Sequence, residues 1–397
     1  MLTLSLKSLP AGKPPLVAIA ERARLMQASG LDVSFLTSGE PDFSTPRHVK
    51  EAAIIAIEQN LTKYSPSEGL PDLVQAIIRK FSRENDLHFE LDQVLVCSGA
   101  KQCISNALQA ICNKGDEVII ISPHCPDYPE MISLAEAIPV MVKARVDNGF
   151  NPDARDIRKA VNQRTKALIL NTPNNPTGAV YSQSQLEEIS SIAKDAGIYV
   201  IADEIYETFV YDDARTFSVG SLKKIKDQVI TVNSASMTYS MTGWRVGYMG
   251  GPRAVIERAT RLQSLLTSGP NSVGQKAVLA AINGSASPVS DMVEEFKRRR
   301  NFTCDFLSGI RGVKVRPPRG GFFLLLGVEE CFGSKAWNNV IKNSSELASH
   351  LLEHYHVVTS PGSAFGDDKY LRISYAYSMS DLERGLNRLK LGLESFR

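Results

Sequence analysis

The chain has 397 residues, room for one large domain with a smaller one or for two of similar size. Hydrophobic residues make up 43% and charged residues 22%, the balance of a globular protein, and no stretch approaches the roughly 18 consecutive apolar residues of a membrane span. The 45 basic and 43 acidic residues leave a net charge of +2, too little to argue for nucleic acid or an anionic membrane as a partner.

In chain order, the N-terminal MLTLSLKSLPAGKPPLV lacks an apolar core with a small-residue cleavage site, so no secretory leader is expected. Through the middle, short β-branched runs alternate with helical patterns. DQVLVCSG reads as a strand, AKQCISNALQAIC as a helix, and NKGDEVIIISP as the next strand. KALILNTP is a strand, and SQSQLEEISSIAKDAG a helix with Ser182 and Gln185 as a capping box and Gly197 as its stop. IYVIADEI and DQVITVNSAS complete the series. Uniformly apolar strands separated by helices predict an α/β fold, a mainly parallel sheet covered by helices on both faces.

After about residue 288 the pattern changes. The long helix VSDMVEEFKRRRNFTCDFLSGI precedes the strand GGFFLLLGV, the helix SSELASHLLEHYH, the strand YLRISYA and a last helix. This predicts a smaller α+β domain over 288–397, beside a large domain over 45–287 and an N-terminal arm over 1–44 that packs with the small domain. The KRRR run is expected on a solvated helix face. His350 and His354 lie four apart, but no adjacent glutamate or third ligand completes a zinc site, so a solvated face is expected there also and no metal is assigned. The six cysteines, Cys97, Cys103, Cys112, Cys125, Cys304 and Cys331, show no CxxC or zinc spacing and fit a reducing, cytoplasmic setting.

Ligands of open α/β sheets sit beyond the carboxyl ends of the strands. There the sequence places Ser98-Gly99-Ala100-Lys101, a small-residue turn that opens a helix and leaves N–H groups for an anion, although such turns also serve tight packing. NTPNNPTG forms a rigid polar loop. Asp203 and Glu204 end an apolar strand, where a carboxylate is costly unless a cation or donor meets it, and Tyr206 follows. Ser234, Ser236 and Arg245 can close an anion cup begun at Gly99.

Together with SGEPDF, KYSPSEGLPDL, ADEIYE, SMTGWRVGY and LRISYA, these segments resemble the class I/II aminotransferases in order and content. Those are pyridoxal 5′-phosphate (PLP) enzymes of fold type I, and the similarity is greatest to the branch that includes prokaryotic aspartate aminotransferases. The resemblance covers nearly the whole chain. It implies that Asp203 pairs with the pyridine nitrogen, and that Asn175 and Tyr206 bond the phenolic oxygen. It gives the phosphate to Gly99, Ala100, Ser234, Ser236 and Arg245, with Tyr64 from a second subunit, hence a homodimer with shared sites. Arg372 takes the substrate α-carboxylate, with Gly39 and Asn175 nearby. Lys101 points towards a distal carboxylate.

Two departures stand out. Met237 occupies the position of the family's Schiff-base lysine, which it matches in length and lack of branching but not in chemistry. Three readings are open: a substitution introduced into a lysine-bearing enzyme, a natural pseudoenzyme, or an enzyme with another base such as Lys101 or His124. The intact cofactor cup favours the first. In SPHCPDYPEM, His124 and Cys125 replace an aromatic pair. His124 is then either a stacking ring or a loop histidine, and Cys125 a small filler. The leading expectation is an amino-acid aminotransferase acting on an amino acid and a 2-oxo acid, disabled as it stands by Met237. The alternatives are a PLP enzyme of elimination, cyclisation or oxidation, and a non-catalytic binding protein.

Overall fold

The computed structural model describes residues 14–336 and 339–396, so residues 1–13 of the stretch inspected for a leader lie outside the described residues. Seven segments form the central sheet: β1 (Val94–Cys97), β2 (Glu117–Ser122), β3 (Ile138–Lys143), β4 (Thr165–Asn171), β5 (Tyr199–Asp203), β6 (Val229–Ser234) and β7 (Gly247–Gly250). Their spatial order is β1-β7-β6-β5-β4-β2-β3, and only β7 runs against its neighbours. The expected mainly parallel sheet is therefore present.

Pleating divides each apolar strand between two cores. Ile120, Ile169, Ile201 and Ile230 face one side with Ile104 and Leu108 of the helix Ala100–Ile111. Ile119, Ile121, Leu168 and Val200 face the other with Leu186 and Ile189 of the helix Gln183–Ala196. Each such side chain fully removed from water contributes about 1.5–3 kcal/mol. The helix Gln183–Ala196 begins and ends as its sequence requires, with a Ser182–Gln185 capping box and Gly197 left-handed at φ 65°.

Two strands lay outside the sequence expectation. β3 is one edge of the sheet, and with Ile138 and Met141 about half exposed it lacks a uniform pattern. β7 is only GYMG, and its first glycine is a steric requirement. A Cβ on Gly247 would lie 2.5 Å from the Ala100 nitrogen, so glycine lets β7 pass beneath the turn that starts the helix Ala100–Ile111.

Beyond residue 286, the strands Phe323–Gly327, Tyr370–Ser374 and Ser360–Pro361 make an antiparallel sheet, flanked in sequence by the helices Ser287–Ser308, Ser344–Tyr355 and Met379–Glu394. Ser34–Phe35 pairs with Val357–Val358, and Ile19 and Ala23 pack into the same core as Leu347 and Leu386. No described helix is long and apolar enough to cross a membrane.

The KRRR face is not simply solvated. Arg299 is buried, bonding Asp42 at 2.6 Å and Glu295 at 2.8 Å over the Phe43 and Phe296 rings. Arg300 is buried against Tyr211 and bonds Asp212 at 2.6 Å. Each long apolar stem fills a gap between segments, while its head finds a carboxylate from a distant part of the chain. His350 is likewise buried, its ring centroid 4.6 Å from that of His354 and 5.3 Å from that of Phe396.

Candidate active site

The carboxyl ends of β5 and β6 open into a cavity of about 580 Å³. Asp203 ends β5 and is 3% exposed. The Tyr128 hydroxyl donates to its Oδ2 at 2.5 Å and the Ile205 N–H approaches Oδ1 at 3.4 Å, but no cation pairs with it among the described residues. Burial raises its pKa to about 6, against the opposing pull of those two donors. The folded protein thus holds this proton more tightly than the unfolded chain, whose aspartate titrates near about 3.9. The resulting stability is present below the unfolded value and lost as pH rises through about 6. Asp203→Asn is therefore expected to stabilise the ligand-free protein by about 2–3 kcal/mol at pH 8 and by far less near pH 4.5. Urea denaturation at both values checks this; an equal effect at both means that the charge is already compensated.

On the far side of the sheet's end, Gly99 (φ 88°) precedes the helix Ala100–Ile111, whose N-terminus has no side-chain cap. A Cβ on Gly99 would lie 2.4 Å from Arg245 Nη2, so the guanidinium rests directly on this turn. Arg245 is exposed and itself left-handed at φ 56°, its Nη1 donating to the Thr242 carbonyl at 2.8 Å. The Ser234 and Ser236 hydroxyls lie 2.9 Å apart between β6 and the short helix Ala235–Thr238. Uncapped N–H groups, two hydroxyls and a guanidinium free of any carboxylate among the described residues make an anion cup.

Arg372 enters the same cavity from the strand Tyr370–Ser374 and is 6% exposed. Its Nη1 donates to Asn175 Oδ1 at 3.1 Å and its Nη2 to the Thr37 carbonyl at 2.8 Å, while Nε has no partner. The guanidinium lies 4.4 Å from the Phe323 ring centroid and 4.8 Å from that of Phe365. Burial lowers its pKa to about 10, and no carboxylate offsets that among the described residues. Tyr206 is buried, and its pKa is pushed up chiefly by desolvation, against a small opposing pull from Asn175. Ser38, Gly39 and Glu40 line the cavity from a loop whose Thr37 and Ser38 N–H groups donate to the Tyr377 hydroxyl at 3.1 and 2.8 Å.

Met237 lines the cavity from the short helix Ala235–Thr238. Lys101 and Cys125 line it too, but the Lys101 ammonium is held by Asp127 at 2.7 Å. Burial pushes the Cys125 thiol well up, so it stays protonated and does not act as a nucleophile.

Three residues singled out in the sequence do not line this cavity. His124 is outside the lining: its Nδ1 sits 2.9 Å from the Cys125 carbonyl oxygen, and its ring abuts Gly366. The loop before Asp127 turns the imidazole towards the Phe365–Gly366 segment, against which it packs. Tyr64 is 92% exposed and reaches no site within its own chain. Glu204 points away, accepting from the Ser218 hydroxyl at 2.9 Å, and burial raises its pKa to about 8. Sequence reasoning overlooked Tyr128, Tyr377 and Asp127. The YP in SPHCPDYPEM was visible, but only folding sets its hydroxyl against Asp203.

The profile described as "Aminotransferase class I and II" matches residues 32–389. The chain is 41% identical over 374 residues to an aspartate aminotransferase of Bacillus sp. (strain YM-2), covering 94% of each chain. It is 39% identical over 379 residues to a probable aspartate/prephenate aminotransferase of Rickettsia bellii (strain RML369-C), covering 95% of each. Among solved structures, the aspartate aminotransferase of Rhizobium meliloti superposes with a TM-score of 0.97 at 36% identity over 100% of both chains. The Thermus thermophilus aspartate aminotransferase with maleate gives 0.92 at 37%, over 99% of this chain and 100% of that one. Matches that run nearly end to end, in sequence and in fold, leave one conclusion: the chain belongs to the class I and II aminotransferases, PLP-dependent enzymes of fold type I, on the branch of the prokaryotic aspartate aminotransferases.

Proposed function

We propose that this protein holds PLP and seats an amino acid or 2-oxo acid for amino transfer, and that Met237 stops turnover in the chain as it stands. The observation that carries the seat is Arg372, a buried guanidinium without a carboxylate partner among the described residues, facing the same cavity as Asp203. The donor set fits the cofactor at every point but one. Asp203 offers the carboxylate that a protonated ring nitrogen needs, which also accounts for keeping a costly buried acid. Asn175 and Tyr206 offer donors to the phenolic oxygen, and Gly99, Ala100, Ser234, Ser236 and Arg245 offer the phosphate cup. When bound, PLP supplies the electron sink and the carbonyl carbon of amino exchange. Met237 is the point of misfit, since a thioether neither bonds covalently to an aldehyde nor carries a proton. A complete cup around one altered residue supports a substitution in a lysine-bearing enzyme over a long-abandoned site. The decisive test is gain of product formation in Met237→Lys.

Arg245→Ala is expected to weaken PLP binding by about 1.5–3 kcal/mol, the worth of a hydrogen bond to a charged group. A fluorescence titration measures it, and an unmoved dissociation constant means that the phosphate sits elsewhere.

A homodimer belongs to this proposal. The helix Arg47–Glu58 exposes Ile54, Ile55 and Ile57, with Leu61 and Tyr64 just beyond it, an apolar run that a second subunit would cover. The division into an arm over 1–44, a large domain over 45–287 and a small domain over 288–397 is proposed with it. The pairing of Ser34–Phe35 with Val357–Val358 and the Arg22–Glu353 ion pair at 2.9 Å support the arm's placement. Six free cysteines support a reducing cytoplasm.

A further inference from the structure

Resting on that reading of the site, we infer that Asp127 sets its substrate class: the cavity disfavours a second carboxylate and takes an amino acid with one carboxylate and an uncharged, hydrogen-bond-donating side chain. Among the described residues, the cavity is lined by three cations, Lys101, Arg245 and Arg372, and three anions, Glu40, Asp127 and Asp203. Arg245 rests on the Gly99 turn and Arg372 beside Asn175, so each has an assigned anion, the phosphate and the α-carboxylate. Lys101 is the remaining cation that could meet a second acidic group, and Asp127 Oδ2 already holds its Nζ at 2.7 Å. The same oxygen accepts the Cys125 thiol at 3.6 Å. Glu40, held by the Thr242 hydroxyl, adds another negative charge to the cavity.

The Lys101–Asp127 pair is 66% and 38% exposed at its two side chains, so it adds little stability of its own. Its consequence is for the next group to arrive. A carboxylate that reaches Lys101 must also stand beside Asp127, and like charges set side by side suppress the wrong partner. Asp127 Oδ1 has no hydrogen bond among the described residues and remains an acceptor for a substrate hydroxyl or amide N–H. The Cys125 thiol, kept protonated by burial, brings no compensating or opposing charge.

The test compares maleate with its half-amide, maleamate, by calorimetry on the PLP-loaded protein. The two probes share a shape and differ by one carboxylate. Maleamate is expected to bind about tenfold or more tightly than maleate. Asp127→Asn and the smaller Asp127→Ser should each improve maleate by roughly tenfold while maleamate gains nothing, with unchanged melting temperatures as the folding check. In the Met237→Lys background, the ratio of kcat/KM for aspartate over asparagine should rise in the same direction on Asp127→Asn. Tighter maleate binding by the parent, or a probe ratio that ignores both Asp127 variants, overturns the inference. If neither probe binds and Arg372→Ala changes nothing, the functional reading itself falls and takes this one with it.

Discussion

Met237→Lys is expected to raise amino transfer by at least about 10²–10⁴-fold, the usual worth of a positioned acid–base group. The parent should show no multiple-turnover product. The reaction requires a proton to leave Cα and be returned beside it, and Met237, which lines the cavity, stands in the proposed reading where the family's lysine would be. Lysine has the same unbranched stem as methionine, so the exchange leaves the packing around the helix Ala235–Thr238 nearly unchanged and adds an amine. The assay mixes protein, PLP, a panel of amino acids and a panel of 2-oxo acids, and follows the new oxo acid. Borohydride reduction and mass analysis should label residue 237 in the lysine variant alone. Steady product from the parent would mean that another base works in this cavity. A silent lysine variant across a broad panel favours a binding protein, and ammonia or a cyclised product in place of transfer favours the other PLP chemistries.

Arg372→Ala should weaken binding of amino acids, 2-oxo acids and single-carboxylate analogues by about 3–5 kcal/mol. A planar guanidinium held by Asn175, Thr37 and two aromatic faces is already oriented, so little freedom is lost when a carboxylate arrives. Arg372→Lys keeps the charge but loses the fork and should recover only part of the affinity. PLP affinity is the control: it should move little in either variant, since the proposed phosphate cup is built on other elements. Equal loss of PLP and carboxylate binding would instead mean that Arg372 chiefly holds the cavity's shape.

Much of the molecule was legible in the sequence. Five of the central strands, β1, β2, β4, β5 and β6, are runs buried on both faces, and burial on both faces leaves a continuous apolar signature. The Ser182–Gln185 box and Gly197 marked a helix because capping is a local event, settled by residues three or four apart. Asp203, Asn175, Arg245 and Arg372 could be named because polar residues at strand ends and in family motifs carry their meaning in order along the chain.

Tertiary structure decided what depends on partners distant in sequence. The edge strand β3 and the four-residue β7 gain their identity from neighbours, not from their own pattern. Arg299 and Arg300 read as solvated until Asp42 and Asp212 arrive to meet them. His124 packs its ring against Gly366, 242 positions later, where the missing side chain leaves room for it. Tyr128 reaches Asp203 across 75 residues, and Asp127 takes the ammonium of Lys101 across the turn that faces it. Composition and periodicity record which residues must leave water. Which charge meets which is a matter of distances of a few ångströms, and these exist only once the chain has closed on itself.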